Sequence, residues 1–478
     1  MGIRFIFGRA GTGKSKFCLD QIRKKIDNDN NNKLILLVPE QYTFQSEKKL
    51  LSEIGERALL RAEVLSFKRM ANRVFDECGG RTNKIVSDSG KNMLIYKLLK
   101  EKGDDLKYFN RISKQQGFVS TVSKTITEFK KYNISEEILQ EKQEDIEDKD
   151  LKEKVSDLVD IYTNFNETLH KKYIDGEDVL TLLGDKLKEC TLYDNAEIWV
   201  DEFTTFTPQQ LEVILLLARK CKTVNITLCT DNLELSSEDD TDIFDVIKNT
   251  ENRILKGMEE NNIAYMEPIN LNKKYPYSFK DSEELKHLER HFFSYPFRTF
   301  TGKCNDIRIY KANNNYSEVE YVAQDILKLV RDKGYRYRDI AVVCRDIDSY
   351  EKIGTVIFNE YDIPFFLDKK REILDNPLVV LIISALEVII SNWSYESVFK
   401  YVKSGLIKLD QYLIDKLENY ILANGIKGFK WTRDLYQSNE EEMSDEDKQM
   451  ADIMEEIREP IMVLSQKIKN DVTVRKIL

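Results

Sequence analysis

Histidine is scarce and cysteine is dispersed: the 478-residue chain has three histidines, and Cys18, Cys78, Cys190, Cys221, Cys229, Cys304 and Cys344 stand singly, with no C-x-x-C pair. A zinc or iron–sulfur site built from this segment alone is therefore not expected, and reduced structural thiols are the expectation. No stretch approaches the roughly 18 consecutive apolar residues of a spanning helix. The opening MGIRFIFGRAG has no charged-then-apolar signal region, so a cytoplasmic location is expected. The formal net charge of −10 argues against a chain that coats nucleic acid over its whole surface. Any DNA contact must come from a local basic groove.

Apolar residues make up 41% of the chain and charged residues 33%, enough for several cores; length suggests roughly three domains. Ile3 to Phe7 reads as a strand, followed by a glycine-rich loop and a helix carrying Phe17, Leu19 and Ile22 to about Ile26. Leu34 to Val38 is a continuous apolar run suited to a parallel strand buried on both faces. Pro39 ends it, and Thr43 or Ser46 can open the next helix. Val64 to Ser66 predicts a third strand, followed by the helical spacing of Phe67, Met70, Ala71 and Val74. This β-α-β-α rhythm predicts a right-handed parallel sheet. From Lys91 to Lys186 the spacing is helical with no strand candidate, and the charged stretch Glu141 to Lys154 reads as a solvated face. The sheet resumes at Glu197 to Val200 and Val224 to Leu228. Asn232 to Tyr277 is polar and irregular, and Lys280 to His291 is helical.

A second α/β unit is expected from strands at Ile307 to Tyr310, Ile340 to Cys344 and Pro364 to Leu367, alternating with helices Glu318 to Lys333 and Ser349 to Glu360. Beyond Asn392 the pattern is helical, with an acidic loop at Glu440 to Asp447. The domain expectation is therefore 1–90 with 187–300, a helical insertion at 91–186, a second unit at 301–391 and a helical accessory region at 392–478.

Gly8-Arg9-Ala10-Gly11-Thr12-Gly13-Lys14-Ser15 matches G-x-x-x-x-G-K-[ST] and lies between a strand and a helix. Glycines let backbone N–H groups fold around phosphate oxygens, and the helix N-terminus adds its positive dipole end. Lys14 supplies a point charge for the β- and γ-phosphates of ATP, and Ser15 a hydroxyl oxygen for Mg²⁺. Ile198-Trp199-Val200-Asp201-Glu202 is an apolar strand ending in two carboxylates. It offers Asp201 for Mg²⁺ and Glu202 to orient or deprotonate the attacking water. An acidic residue at a strand end is also a common helix N-cap.

These residues together resemble superfamily 1 helicases of the UvrD/Rep type. More closely, they resemble the AddB chains of bacterial AddAB helicase–deoxyribonucleases. The resemblance rests on Phe5 to Ser15, on Val38-Pro39-Glu40-Gln41-Tyr42-Thr43-Phe44-Gln45 as its most specific element, and on Val64-Leu65-Ser66-Phe67-Lys68-Arg69-Met70. It continues at Asp201-Glu202-Phe203-Thr204-Thr205-Phe206-Thr207-Pro208-Gln209-Gln210 and Asp339 to Arg345. It implies an α/β P-loop NTPase fold, with two RecA-like parallel-sheet domains and helical insertions. It also implies a heterodimer with an AddA subunit that resects double-strand DNA ends before recombination. The family's C-terminal nuclease domain and iron–sulfur cluster are implied for a longer protein; their ligands are not in this chain, which reads as an N-terminal fragment.

Departures bear on mechanism. Seven residues precede Gly8, where UvrD-type motors carry a glutamine motif that reads adenine. Thr227-Leu228-Cys229-Thr230-Asp231 offers only Asp231 where those motors place a glutamine and an aromatic residue. The expected arginine finger would follow Leu478. An alternative is therefore a DNA-binding scaffold with a degenerate, non-motor ATP site. For DNA, Gln41, Tyr42, Phe44, Phe67, Lys68 and Arg69 at the second and third strand ends supply rings for bases and cations for phosphates; Phe44 and Phe67 also suit helix-start packing. Phe129-Lys130-Lys131-Tyr132 has the same chemistry. Arg9 is either a phosphate contact or a solvated loop residue. Glu318 and Glu320 resemble an acidic position near the nucleotide ribose, or a helix N-terminus preference.

Overall fold

In the computed structural model, the described residues are 1–28, 32–55, 61–79, 84–113, 115–169, 173–233, 242–273, 277–368, 373–432 and 444–470. They form two compact units, Met1–Ile309 and Tyr310–Leu478.

The first unit is organised by strands β1 (Ile3–Phe7), β2 (Leu34–Leu37), β3 (Ala62–Leu65), β6 (Glu197–Val200), β7 (Thr223–Leu228) and β8 (Tyr265–Asn270). They form one sheet in the order β3-β2-β6-β7-β1-β8, and every pairing is parallel. β2, β6 and β7 are buried along their whole length, as near-continuous apolar runs require in a sheet covered on both faces. Alternation sorts their side chains into two cores. Ile6, Leu36 and Trp199 meet α1 (Lys14–Asp27) and α2 (Thr43–Ile54) on one face. Phe5, Leu37 and Val200 meet α3 (Phe67–Cys78), α8 (Asp178–Glu189), α9 (Pro208–Lys220) and α10 (Asp245–Glu260) on the other. Helices α4 (Asp88–Lys102), α5 (Gln116–Lys131), α6 (Glu136–Glu144) and α7 (Lys149–Leu169) close a separate core around Ile95, Val122 and Phe165.

Several expectations are corrected. Among the described residues the helical stretch contains one strand, β5 (Tyr173–Ile174), which pairs with β4 (Lys84–Ile85) just before the stretch begins, and α8 crosses residue 186 to pack Leu183 and Leu187 into the sheet core. Within Asn232 to Tyr277, expected to be irregular, the described residues hold α10 and β8. The buried face of α10 includes Lys248, Thr250 and Glu251, which blurs its helical period, and β8 is an edge strand carrying Pro268, as edge strands tolerate. Cys78 and Cys190 are joined in a disulfide rather than reduced. The cause is tertiary, because α3 packs along α8 and brings their C-terminal ends together across 112 residues.

In the second unit, α12 (Asn315–Lys333) and α13 (Ile347–Glu360) share a small core. A larger one joins α14 (Pro377–Ile390), α15 (Tyr395–Val402), α16 (Gln411–Asn424), α17 (Phe429–Thr432) and α18 (Asp445–Asn470). The strands expected at Ile307 to Tyr310, Ile340 to Cys344 and Pro364 to Leu367 form no ladder among the described residues. Ile309, Val343 and Phe366 are 96%, 91% and 88% exposed. An apolar segment becomes a strand only by pairing, and its own pattern does not supply the neighbour. The first half of the acidic loop expected at Glu440 to Asp447 lies outside the described residues; Asp445 to Asp447 open α18.

Glu251 on α10 is buried, and burial pushes its carboxyl up to about 7 against the weaker opposing charge of Lys248. Lys248 is itself taken by Asp242 at 2.6 Å. The folded state therefore keeps a proton that the unfolded chain releases near 4.5. Stability is fullest below that pH and declines as pH rises to about 7, by on the order of 3 kcal/mol. Urea unfolding of Glu251→Gln is expected to lack this decline; a native and variant with parallel pH profiles would contradict it.

Candidate functional site

The parallel arrangement sends the C-terminal ends of all six strands to one edge, where β1 and β6 are separated only by β7, about 10 Å across two strand spacings. The chain leaving β1 is tied to β7 by the Gly8 N–H, which donates to the Leu228 carbonyl at 3.1 Å. It then turns through Gly11 (φ 73°) and Gly13 (φ 86°), left-handed positions suited to glycine. Segment Tyr277–Phe279 lies across this turn. A Cβ on Gly11 would stand 2.5 Å from the Phe279 ring, and the Ser278 N–H donates to the Gly11 carbonyl. Gly13 caps α1 without a side-chain acceptor, and the first turn of α1 has no acidic residue. Its leading amides are thus left for an external anion.

Lys14 folds back over the loop, its Nζ donating to the carbonyls of Gly8 (2.8 Å) and Arg9 (3.0 Å). Ser15 Oγ donates to Glu202 Oε1 at 3.0 Å, joining the loop to the tip of β6. Asp201 continues β6 for one residue, its N–H donating to Leu37. Its buried carboxylate accepts from Thr227 Oγ1 at 2.6 Å. Glu202 turns at φ 66°, which points the chain away from the sheet directly after Asp201. The buried thiol of Cys18, one turn into α1, is pushed well up by burial first and then by the charges of Asp201 and Glu202. Lys14, Ser15, Asp201 and Glu202 therefore lie together, as hard oxygen donors beside an ammonium, a set suited to a magnesium-bound phosphate.

Arg9 is not a solvated loop residue. Its N–H donates to Asn272 Oδ1, its guanidinium donates to Glu289 Oε1 (2.9 Å) and to the Glu289 carbonyl (2.8 Å), and it lies over the Phe244 ring. Glu289 belongs to α11 (Glu283–His291). Beside Arg9 opens a cavity of 820 Å³ lined by Ala10, Asp231, Lys273, Arg290 and Arg298 among others.

Gln41 and Tyr42 occupy a single turn after β2, and Phe44 opens α2 with its ring 71% exposed. Lys68 is exposed next door after β3, and Arg69 pairs with Glu47 at 2.5 Å. Phe67 departs from the expectation: it is buried against Phe203, ring centroids 5.7 Å apart, so its surface is spent on the core rather than open to a base. In the Phe129 to Tyr132 run, Lys130 is likewise buried, paired with Asp178 and Asp175. In the second unit, Glu318 and Glu320 accept from the hydroxyls of Tyr350 and Tyr361. Sequence reasoning missed Thr227, Asn272 and Glu289. Only Thr227 left a signal, as one of three polar residues, with Thr223 and Asn225, in the buried strand T-V-N-I-T-L.

The chain matches the family described as "ADDB, N-terminal" over residues 5–289, and that described as "UvrD-like helicase C-terminal domain" over residues 279–473. Three similar relatives each bear the name of the second, or B-type, component of an ATP-dependent helicase/deoxyribonuclease. One from Clostridium perfringens (strain 13 / Type A) is 52% identical, covering 97% of this chain and 41% of that protein. One from Clostridium botulinum (strain Loch Maree / Type A3) is 48% identical, covering 98% and 42%. One from Clostridium tetani (strain Massachusetts / E88) is 47% identical, covering 100% and 43%. The chain thus spans about two fifths of the length of these relatives. With more than half of its residues inside the first match and such identity across nearly its whole length, the chain belongs to the AddB N-terminal family.

Proposed function

We propose that Gly8 to Ser15 is a P-loop of a RecA-like domain that binds ATP with Mg²⁺. The chain then serves as the helicase-like front part of an AddB subunit, acting in the cytoplasm with an AddA subunit on double-strand DNA ends. The observation that carries this reading is the 3.0 Å hydrogen bond from Ser15 to Glu202, which unites the glycine loop with a carboxylate 187 residues away. Ser15 and, through water, Asp201 would hold Mg²⁺, which offsets the charge of the β- and γ-phosphates. The amides of Gly11 to Lys14 bind phosphate oxygens, and the Lys14 ammonium exchanges its two carbonyl partners for them. Glu202, released from Ser15, orients a water molecule. Gln41, Tyr42, Phe44, Lys68 and Arg69 form the single-strand contact at the β2 and β3 ends, with Phe44 as its exposed ring.

The test is titration of the chain with a fluorescent ATP analogue, with and without Mg²⁺. Mg²⁺ is expected to tighten binding by about ten-fold or more, from one added charge-assisted contact, and Asp201→Asn to remove that gain. Affinity indifferent to Mg²⁺ and to Asp201→Asn would contradict the reading. Turnover separates a motor from a non-motor ATP site: Glu202→Gln should leave ATP affinity within about two-fold while lowering DNA-stimulated hydrolysis by roughly a hundred-fold or more.

A further inference from the structure

At the opposite end of the sheet's C-terminal edge from β2 and β3, the chain leaves α11 as Arg290-His291-Phe292-Phe293-Ser294-Tyr295-Pro296-Phe297-Arg298. The rings of Phe292, Phe293, Tyr295 and Phe297 are 60%, 71%, 90% and 81% exposed. They stand in two edge-on pairs, with centroids 4.8 Å apart for Phe292–Phe293 and 6.0 Å for Tyr295–Phe297. Four large rings held in water within six residues, in two pairs, are more than scattered surface residues and mark an interaction site.

The charges around the patch say what it fits. The whole chain carries −10, yet Arg290 and Arg298 flank these rings, exposed and in no ion pair with a described residue. Lys273 joins both in lining the cavity beside Arg9. Of the two carboxylates lining that cavity, Glu289 is committed to Arg9, which leaves Asp231 against the three cations. His291 feels this field: burial first, then the charges of His287, Arg298, Arg290 and Arg9, push its pKa down. Rings flanked by arginines that pair with no described carboxylate combine base stacking with phosphate neutralisation.

We propose that Arg290 to Arg298, with Lys273, is a second binding surface for single-stranded nucleic acid, in which Phe292, Phe293, Tyr295 and Phe297 stack on bases while Arg290 and Arg298 neutralise phosphates. Its position gives it a direct link to the glycine loop, because Arg9 is held by both the side chain and the carbonyl of Glu289, the residue before Arg290. This surface adds to the DNA reading above and stands independently of the contact at Phe44 and Lys68.

The experiment is fluorescence anisotropy of a labelled oligothymidine of about 16 nucleotides with the 478-residue chain. The variants are Phe292→Ala/Phe293→Ala, Tyr295→Ala/Phe297→Ala, Arg290→Gln/Arg298→Gln and, for the other surface, Phe44→Ala/Lys68→Ala. Each ring pair is expected to weaken binding about five-fold or more. The arginine pair should reduce the slope of log affinity against log salt by roughly 1.4 for two lost phosphate contacts. Unfolding midpoints should stay unchanged, since the removed groups are solvent-exposed. Native-like affinity in both ring-pair variants overturns the proposal, as does equal affinity for a duplex of the same length. So does a ring-pair variant that changes self-association but not oligothymidine affinity, which would assign the patch to contact between copies. If only Phe44→Ala/Lys68→Ala weakens binding, this inference fails and the β2/β3 surface stands; the reverse result leaves this surface standing and removes the other.

Discussion

Lys14→Ala is expected to weaken ATP binding by roughly 30- to 1,000-fold, on the order of 2–4 kcal/mol for charge-assisted contacts to the β- and γ-phosphates. The ammonium donates to two carbonyls of its own loop, Gly8 and Arg9. Those bonds keep the charge over the glycine loop, and in the proposed reading they are exchanged for phosphate oxygens. Lys14 is only half-buried, so loss of the carbonyl contacts should leave folding stability within about 1 kcal/mol of native. Arginine is not expected to rescue, because a planar guanidinium does not fit a concavity shaped for a compact ammonium. Calorimetric titration with ATP and Mg²⁺ measures the effect. A variant that binds within two- or three-fold of native would remove Lys14 from the site.

Asp175→Asn is expected to destabilise the first unit by on the order of 3–5 kcal/mol, the usual consequence of stripping one partner from a buried ion pair. Asp175 accepts from Lys91 at 2.9 Å and faces Lys130 at 3.3 Å, and all three side chains are about 95% buried. Lys130 keeps both oxygens of Asp178, but Lys91 would have an uncharged amide in place of its counter-ion, beside Thr127 Oγ1 and the face of Phe165. Burial raises the Asp175 pKa, but the Lys91 hydrogen bond and the charges of Lys130 and Lys91 outweigh it and hold the carboxyl below 3.8. That depressed value makes its stabilisation present above pH 3.8 and lost as pH falls through the folded value. Urea unfolding measures the difference. The double variant Lys91→Met/Asp175→Leu should recover part of the loss, because it removes both charges rather than orphaning one. A single variant within 1 kcal/mol of native would show that water reaches the cluster.

The glycine loop was legible because its information is local: Gly8 to Ser15 specify turn, amides and charge within eight residues. Asp201 and Glu202 were legible because the apolar run Ile198 to Val200 ends abruptly in two carboxylates. What joins them was not legible. The Thr227 hydroxyl on Asp201 and the Glu289 clamp on Arg9 depend on strand order and on where α11 lies, which one sequence does not contain. Phe44 and Phe67 illustrate the limit: each is an aromatic residue at a helix start, yet one is 71% exposed and the other 6%. Lys130 reads as a nucleic-acid cation until Asp175 and Asp178, more than 40 residues later, are folded against it. The polar buried face of α10 hid a helix, and the apolar segments near Ile309, Val343 and Phe366 suggested strands that no neighbour completes among the described residues.

In the proposed function the glycine loop and the tip of β6 share one metal-bound triphosphate. Fe²⁺ in place of Mg²⁺, with ATP and ascorbate, cleaves backbone within reach of the bound metal and reads that geometry directly. Nucleotide-dependent cuts are predicted at both Gly13 to Ser15 and Val200 to Glu202, disappearing together in Asp201→Asn. Cuts at only one of these segments, or cuts that do not require nucleotide, would contradict it.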